Sequence, residues 1–253
     1  MKSKGGFAKK DLVVVLFSVA FALANLGAIG SSSGRRRAKE MVCLSNLLRW
    51  GPIFQAFTND NNGYFPKRGY GDFPGMVEWP MTFESYYKNP KMLLCPEATK
   101  SVDEGGWNPF MAWWYDETRL FVGSYCINNW VSNETWQMKG VVNGFWRTPY
   151  VQGADKVPIL ADGQWKDADP LPTDLPPEHE GDFWTPNAEE IRRVCVNRHN
   201  GGVNGLFLDF SARKVGLKEL WEIWWYQGWP EDRAAAGTPV WPPWMENFKD
   251  YSP

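Results

Sequence analysis

The sequence predicts an α+β protein: a long N-terminal helix, its first part in a membrane, then a head of short strands, ordered loops and many tryptophans. Three observations predict it. The run from Leu12 to Ile29 carries no charge. Its length approaches the ~20 residues that cross a ~30 Å hydrocarbon core at ~1.5 Å per residue. From Ala38 onward Met41, Leu44, Leu47, Leu48, Phe54 and Phe57 recur at helical intervals. Between Gly63 and Gly181 the chain is rich in Pro, Gly and aromatic residues without a long helical period, a pattern of short strands and loops.

The N-terminal element begins with a basic leader, Met1 to Gly5, then Gly6-Phe7, then Asp11 just before the apolar run. A carboxylate at the mouth of a membrane span is expensive and marks a functional position. A cleaved secretory signal is the alternative, with small-residue sites at Ala22-Leu23-Ala24 or Gly27 to Gly30. Asp11 argues against it, because an apolar signal core gains nothing from an acid at its start. Lys2, Lys4, Lys9 and Lys10 before the span balance Arg35, Arg36, Arg37 and Lys39 after it, so flanking charge sets no orientation. Gly30-Ser31-Ser32-Ser33-Gly34 is an expected weak point in the helix. Pro52 is expected to kink or restart it, and Asn59-Asp60-Asn61-Asn62-Gly63 to end it. Asp167 to Pro186, acidic and Pro-rich, reads as an exposed loop. Glu189 to Val196 reads as a short helix or the run into a strand. From Gly237 the prolines Pro239, Pro242 and Pro243 predict an irregular tail.

The segment Lys4-Gly5-Gly6-Phe7-Ala8-Lys9-Lys10-Asp11-Leu12-Val13-Val14-Val15 resembles a prepilin-type cleavage and methylation signal. Arg198-His199 to Asp209 resembles the His-x9-Asp pattern of bacterial prepilin-like proteins, with Phe210 where a glycine normally follows. Cys43-Leu44-Ser45-Asn46-Leu47, Tyr64-Phe65-Pro66, Leu94-Cys95-Pro96, Ser124-Tyr125-Cys126-Ile127-Asn128 and Ile159-Leu160-Ala161-Asp162-Gly163 match further segments of that family in order. The resemblance implies a type IV pilin-like fold, a long N-terminal helix packed on an antiparallel sheet, with Val203–Asp209 and Lys214–Leu217 as a hairpin. It implies a leader of residues 1–6, a membrane and filament-core helix at 7–30, and a periplasmic or extracellular head at 31–253, helical to about residue 60. It implies cutting after Gly6, methylation of Phe7, and a precursor in the bacterial inner membrane that becomes a surface filament. The implied partners are the prepilin peptidase, identical or related subunits, and the membrane. Asp11 is then the assembly charge. It would neutralise the new α-amine of a neighbouring subunit, and breaking such a buried pair costs about 3–5 kcal/mol.

Function classes narrow further. The 253 residues carry a formal net charge of -2, and the one dense basic cluster is Arg35 to Lys39. No nucleic-acid partner is expected, because that needs a broader basic face. The 16 tryptophans read first as core and interface. Exposed ones would make a glycan-binding surface, with Trp221, Trp224 and Trp225 on one helix face. The two histidines are His179, in a polar loop, and His199. No nucleophile motif, His-Glu-x-x-His or phosphate-binding loop accompanies them, so no catalytic residue and no enzyme activity is expected. His199 is expected to bridge its loop to Asp209 or Asp162. The one cofactor the residues suggest is a Ca²⁺ ion held by Asp162, Asp209 and nearby backbone carbonyls, with His199 behind them. Four cysteines allow three pairings. Cys95–Cys126 is the favoured disulfide because both lie in the loop-rich middle, with Cys43 buried or bridged to Cys195.

Overall fold

The computed structural model describes residues 32–67, 78–115, 121–182 and 189–250. Gly6, Phe7, Asp11 and the apolar run Leu12 to Ile29 lie outside those residues. The chain divides into Met1–Lys39 and Glu40–Pro253. In the first unit the described residues are the opening turns of helix α1, where Arg35, Arg36, Arg37 and Lys39 are exposed.

Helix α1 runs Ser32–Asp60 and continues through Pro52, so Ser33 and Gly34 lie within it and the helix does not restart at Pro52. Cys43, Leu47, Trp50, Gly51, Phe54 and Thr58 form its buried stripe, spaced as a 3.6-residue period requires. The stripe is rotated from the expected one: Met41 and Leu48 are 64% and 49% exposed. Trp50 sets the rotation. Its indole Nε1 donates to Met92 O at 2.9 Å, and its ring packs edge-on against Trp79 at 5.3 Å. The helix stops as expected. Gly63, at φ 85°, donates its N–H to Thr58 O at 2.7 Å, closing the end through the left-handed conformation that glycine adopts freely.

Two further helices are short, α2 at Trp79–Thr82 and α3 at Trp229–Ala236. Strands β1 (Trp113–Tyr115) and β2 (Phe121–Gly123) form a separate antiparallel ribbon. The main sheet contains β3 (Tyr125–Asn128), β4 (Pro158–Asp162), β5 (Asp167–Ala168), β6 (Gly202–Phe207) and β7 (Ala212–Gly216), in the order β5-β3-β4-β6-β7. Tyr125 sits opposite Asp162, and Ala161 opposite Gly205. Every residue of β3, β4 and β6 is buried, so these strands read as near-continuous buried runs rather than alternating ones. Helix α1 approaches the β6–β7 turn at Gly51, where a Cβ would stand 3.1 Å from Phe210 Cβ and 3.3 Å from Phe210 O.

This architecture corrects the type IV pilin-like expectation. The sheet is mixed, because β3 and β5 pair in parallel, and most of the chain after α1 is short strands and single turns. Among the described residues no helix is long and apolar enough to cross a membrane. The α+β content stands; the long helix laid on a purely antiparallel sheet does not. Two smaller expectations change as well. The segment from Asp167 is drawn inward, with Asp169 and Asp174 buried, because the indoles of Trp130 and Trp221 donate to Pro170 O and Asp174 O. Trp221 closes a short 3₁₀ turn, Lys218–Trp221, so no helix face presents Trp221, Trp224 and Trp225 together. Trp221 and Trp225 are core residues.

Candidate functional site

One buried polar cluster gathers residues from four distant segments. Cys43 comes from the buried stripe of α1. Cys95 follows the 3₁₀ turn Pro90–Leu93. That segment is tied to the helix by Asn46, whose amide donates to Leu94 O at 3.0 Å, and to the sheet by Cys95 N–H, which donates to Ser124 Oγ at 2.6 Å. Asp162 ends β4. His199 precedes β6, its N–H donating to Gly202 O across a turn in which Asn200 and Gly201 both take positive φ.

The donor atoms of Cys43, Cys95, Asp162 and His199 lie within 4.8 Å of one another. His199 Nε2 is 3.1 Å from Asp162 Oδ2 and 3.4 Å from Cys95 Sγ. Cys43 Sγ is 3.5 Å from Asp162 Oδ1. Around them, Tyr125 donates its hydroxyl to Cys43 Sγ at 3.3 Å, and Asn204 donates its N–H to Asp162 Oδ2 at 2.8 Å. The Arg198 guanidinium stands 3.6 Å from Asp162 Oδ1. Its other donors reach the carbonyls of Pro109, Ser124, Met111 and Gly163.

The electrostatics follow from burial and pairing. Burial raises the Asp162 carboxyl, but His199, Arg198 and the Asn204 N–H together hold it below its ordinary value. Burial lowers the His199 imidazole, yet the Asp162 charge, their hydrogen bond and Cys95 raise it to about 10. Burial pushes the Cys95 thiol well up. Without a metal the cluster is an imidazolium–carboxylate pair beside the Cys95 thiol, which burial keeps protonated and so a poor nucleophile. His199 is 3% exposed, so its ring is closed off from solvent. What these groups can do is hold α1, two loops and the sheet together, or hold an ion at their common centre.

The structure brings together Asp162 and His199 but not Asp209. Asp209 is exposed in the β6–β7 turn, where its Oδ1 accepts from Ser211 N–H and Oγ–H at 2.9 and 2.7 Å. Phe210 follows at φ 62°, taking the left-handed conformation that glycine would adopt without strain. The expected Ca²⁺ set is thereby broken up: Asp209 is absent from it, and sulfur and nitrogen surround Asp162 where that ion needs oxygens. His199 touches Asp162 directly. The expected Cys95–Cys126 disulfide is also corrected, as is Cys43–Cys195; all four cysteines are free thiols. Tyr125 reaches Cys43, and successive strand residues point to opposite faces, so Cys126 looks away from Cys95. Its charged neighbours are Asp167, Arg193 and Glu190 instead. Sequence reasoning missed Cys43, Cys95, Arg198 and Asn204 as members of the site. The signal was present, since each lies in or beside a segment that carries the prepilin-like resemblance. His179 is exposed in its loop. No family model, curated protein or solved structure matches the chain.

Proposed function

We propose that the chain is a non-enzymatic structural subunit, cut between Gly6 and Phe7 by a prepilin-type peptidase. It assembles with identical or related subunits through its N-terminal apolar segment, the head displayed outside the cytoplasmic membrane. The observation that carries this reading is the meeting of the motif segments. Cys43, Cys95, Tyr125, Asp162 and His199 sit in segments that resemble one family in order, and all five converge in one closed cluster. Segments that converge this way serve a shared internal framework, and a framework sealed from solvent suits a building block better than a catalyst. Helix α1 adds support. Its outer face exposes Met41, Val42 and Leu48, apolar side chains available for contact between neighbouring subunits.

Mass spectrometry of the mature N-terminus tests the reading. The expected product begins at Phe7 with a methylated amine, and Asp11→Ala lowers incorporation into filaments seen by electron microscopy. A mature chain that begins after Ala24 or Gly30 sinks it. Glycan binding is the second reading, favoured by the exposed indoles of Trp107, Trp114 and Trp136. Retention of the protein on polysaccharide, without filaments, would select it. Trp224 is a poor stacking surface, because Lys156 Nζ lies over its ring, 4.7 Å from the centroid.

A further inference from the structure

We propose that Cys43, Cys95, Asp162 and His199 form a structural zinc site, with two thiolates, one carboxylate oxygen and one imidazole nitrogen around a single Zn²⁺. The inference is independent of the assembly reading. It begins with geometry. Ligand bonds of about 2.3 Å to sulfur and about 2.0–2.2 Å to nitrogen or oxygen, at tetrahedral angles, place neighbouring donor atoms about 3.3–3.8 Å apart. Two edges already fall in that range, 3.4 Å from Cys95 Sγ to His199 Nε2 and 3.6 Å from Cys43 Sγ to Asp162 Oδ2, and the edge from His199 Nε2 to the same Asp162 oxygen is somewhat shorter at 3.1 Å. The remaining pairs stay within 4.8 Å.

Donor chemistry selects the ion. Sulfur with imidazole suits zinc and excludes the hard cations Ca²⁺ and Mg²⁺, which take oxygen ligands. Charge closes as well. Two thiolates, a carboxylate and a neutral imidazole around Zn²⁺ leave one negative charge, and the buried Arg198 guanidinium beside Asp162 offsets it. Both cysteines ligate as thiolates and His199 as the neutral imidazole, so whatever protons these groups carry leave to solvent on binding. Outer contacts are in place to hold the ligands: the Asn204 N–H on Asp162 and the Tyr125 hydroxyl on Cys43. All four ligands are buried, so the coordination shell is filled by protein and has no open position. That is the pattern of a structural ion rather than a catalytic one. The ion would tie helix α1 to the end of β4 and to the two loops that carry Cys95 and His199.

The test uses the full chain, produced with zinc and purified without chelator. Elemental analysis is expected to find about one zinc per chain. A strong chelator lowers the melting temperature, and Zn²⁺ alone restores it where Ca²⁺ does not. Cys43→Ser and Cys95→Ser each reduce zinc content roughly tenfold or more, while Cys126→Ser retains it. Should the ligand variants fail to fold, cobalt loaded into the wild-type chain decides. Tetrahedral visible bands with a thiolate-to-cobalt charge-transfer band support the site. A chain without zinc, retention of zinc in both ligand variants, a cobalt spectrum without thiolate character, or a Cys43–Cys95 disulfide in the zinc-grown protein overturns it.

Discussion

At the scale of single residues, one buried charge takes most of its partners from the backbone. Arg198 has a fully buried side chain and donates to four carbonyls, at 2.8 Å to Pro109 O, 2.6 Å to Ser124 O, 2.9 Å to Met111 O and 2.8 Å to Gly163 O. Arg198→Met strands those carbonyls and leaves Asp162 with less compensation. We expect a loss of about 3–5 kcal/mol, read from denaturant unfolding. Arg198→Lys keeps the charge but not the planar fork of donors, so it stays below wild type. A loss under 1 kcal/mol for Arg198→Met would show that the guanidinium is not what joins these loops. Asp174 acts with the opposite sign. Burial raises its carboxyl to about 6, against the N–H groups of Leu171 and Ile191, which lower it. The unfolded chain ionises near 3.8, before the folded one. The favourable contribution is therefore complete below that value and is lost as pH rises through about 6. Asp174→Asn removes this slope. Wild type and variant should lie close together at pH 4, and the variant should gain on the order of 3 kcal/mol relative to wild type by pH 7. Parallel stability–pH curves would refute the assignment.

At the scale of elements, α1 was legible and its facing was not. The turn chemistry of Asn59 to Gly63 placed the helix end correctly, because Gly63 supplies the left-handed conformation the stop requires. The buried face was misjudged because hydropathy alone ranks Met41 and Leu48 as core candidates. The indole of Trp50, anchored on Met92 O, rotates them outward. The strands were recognised as short, but not the parallel pairing of β5 on β3, since a two-residue strand has no period to read. The contact between α1 and the β6–β7 turn is a close packing constraint on this helix. Gly51 leaves a gap that a Cβ would narrow to 3.1 Å from Phe210 Cβ. Gly51→Leu drives a branched side chain into that gap, and we expect a loss of about 1–3 kcal/mol, measured by thermal unfolding. A neutral Gly51→Leu would mean that the turn yields freely and that the helix is not seated against it.

At the scale of the whole molecule, the site was half legible for a physical reason. The motif segments single out Asp162 and His199, while the sequence reads Cys43 as an apolar filler or a partner of Cys195, and Cys95 as a partner of Cys126. A sequence names the residues of a cluster; only the strand faces decide which of them meet. Tyr125 turned toward Cys43, and Cys126 turned away, are what assemble the cluster. The same faces merge the aromatic residues into a single core. Trp50 of α1, Trp113 of the ribbon, Trp130 beyond β3, and Trp221, Trp225 and Trp229 near the C-terminus all belong to one contiguous buried cluster. Each is nearly or wholly inaccessible to solvent. A core shared this way leaves no segment of the head that can unfold while keeping its tryptophans dry. Unfolding of the full chain by denaturant should therefore give coincident transitions by tryptophan emission and by far-ultraviolet circular dichroism, with a single midpoint. Replacing Trp50 or Trp229 by Phe should shift both probes together. An emission transition that precedes the loss of secondary structure, or that splits in only one of these variants, would show that the region around α1 and the C-terminal region are separate cooperative units.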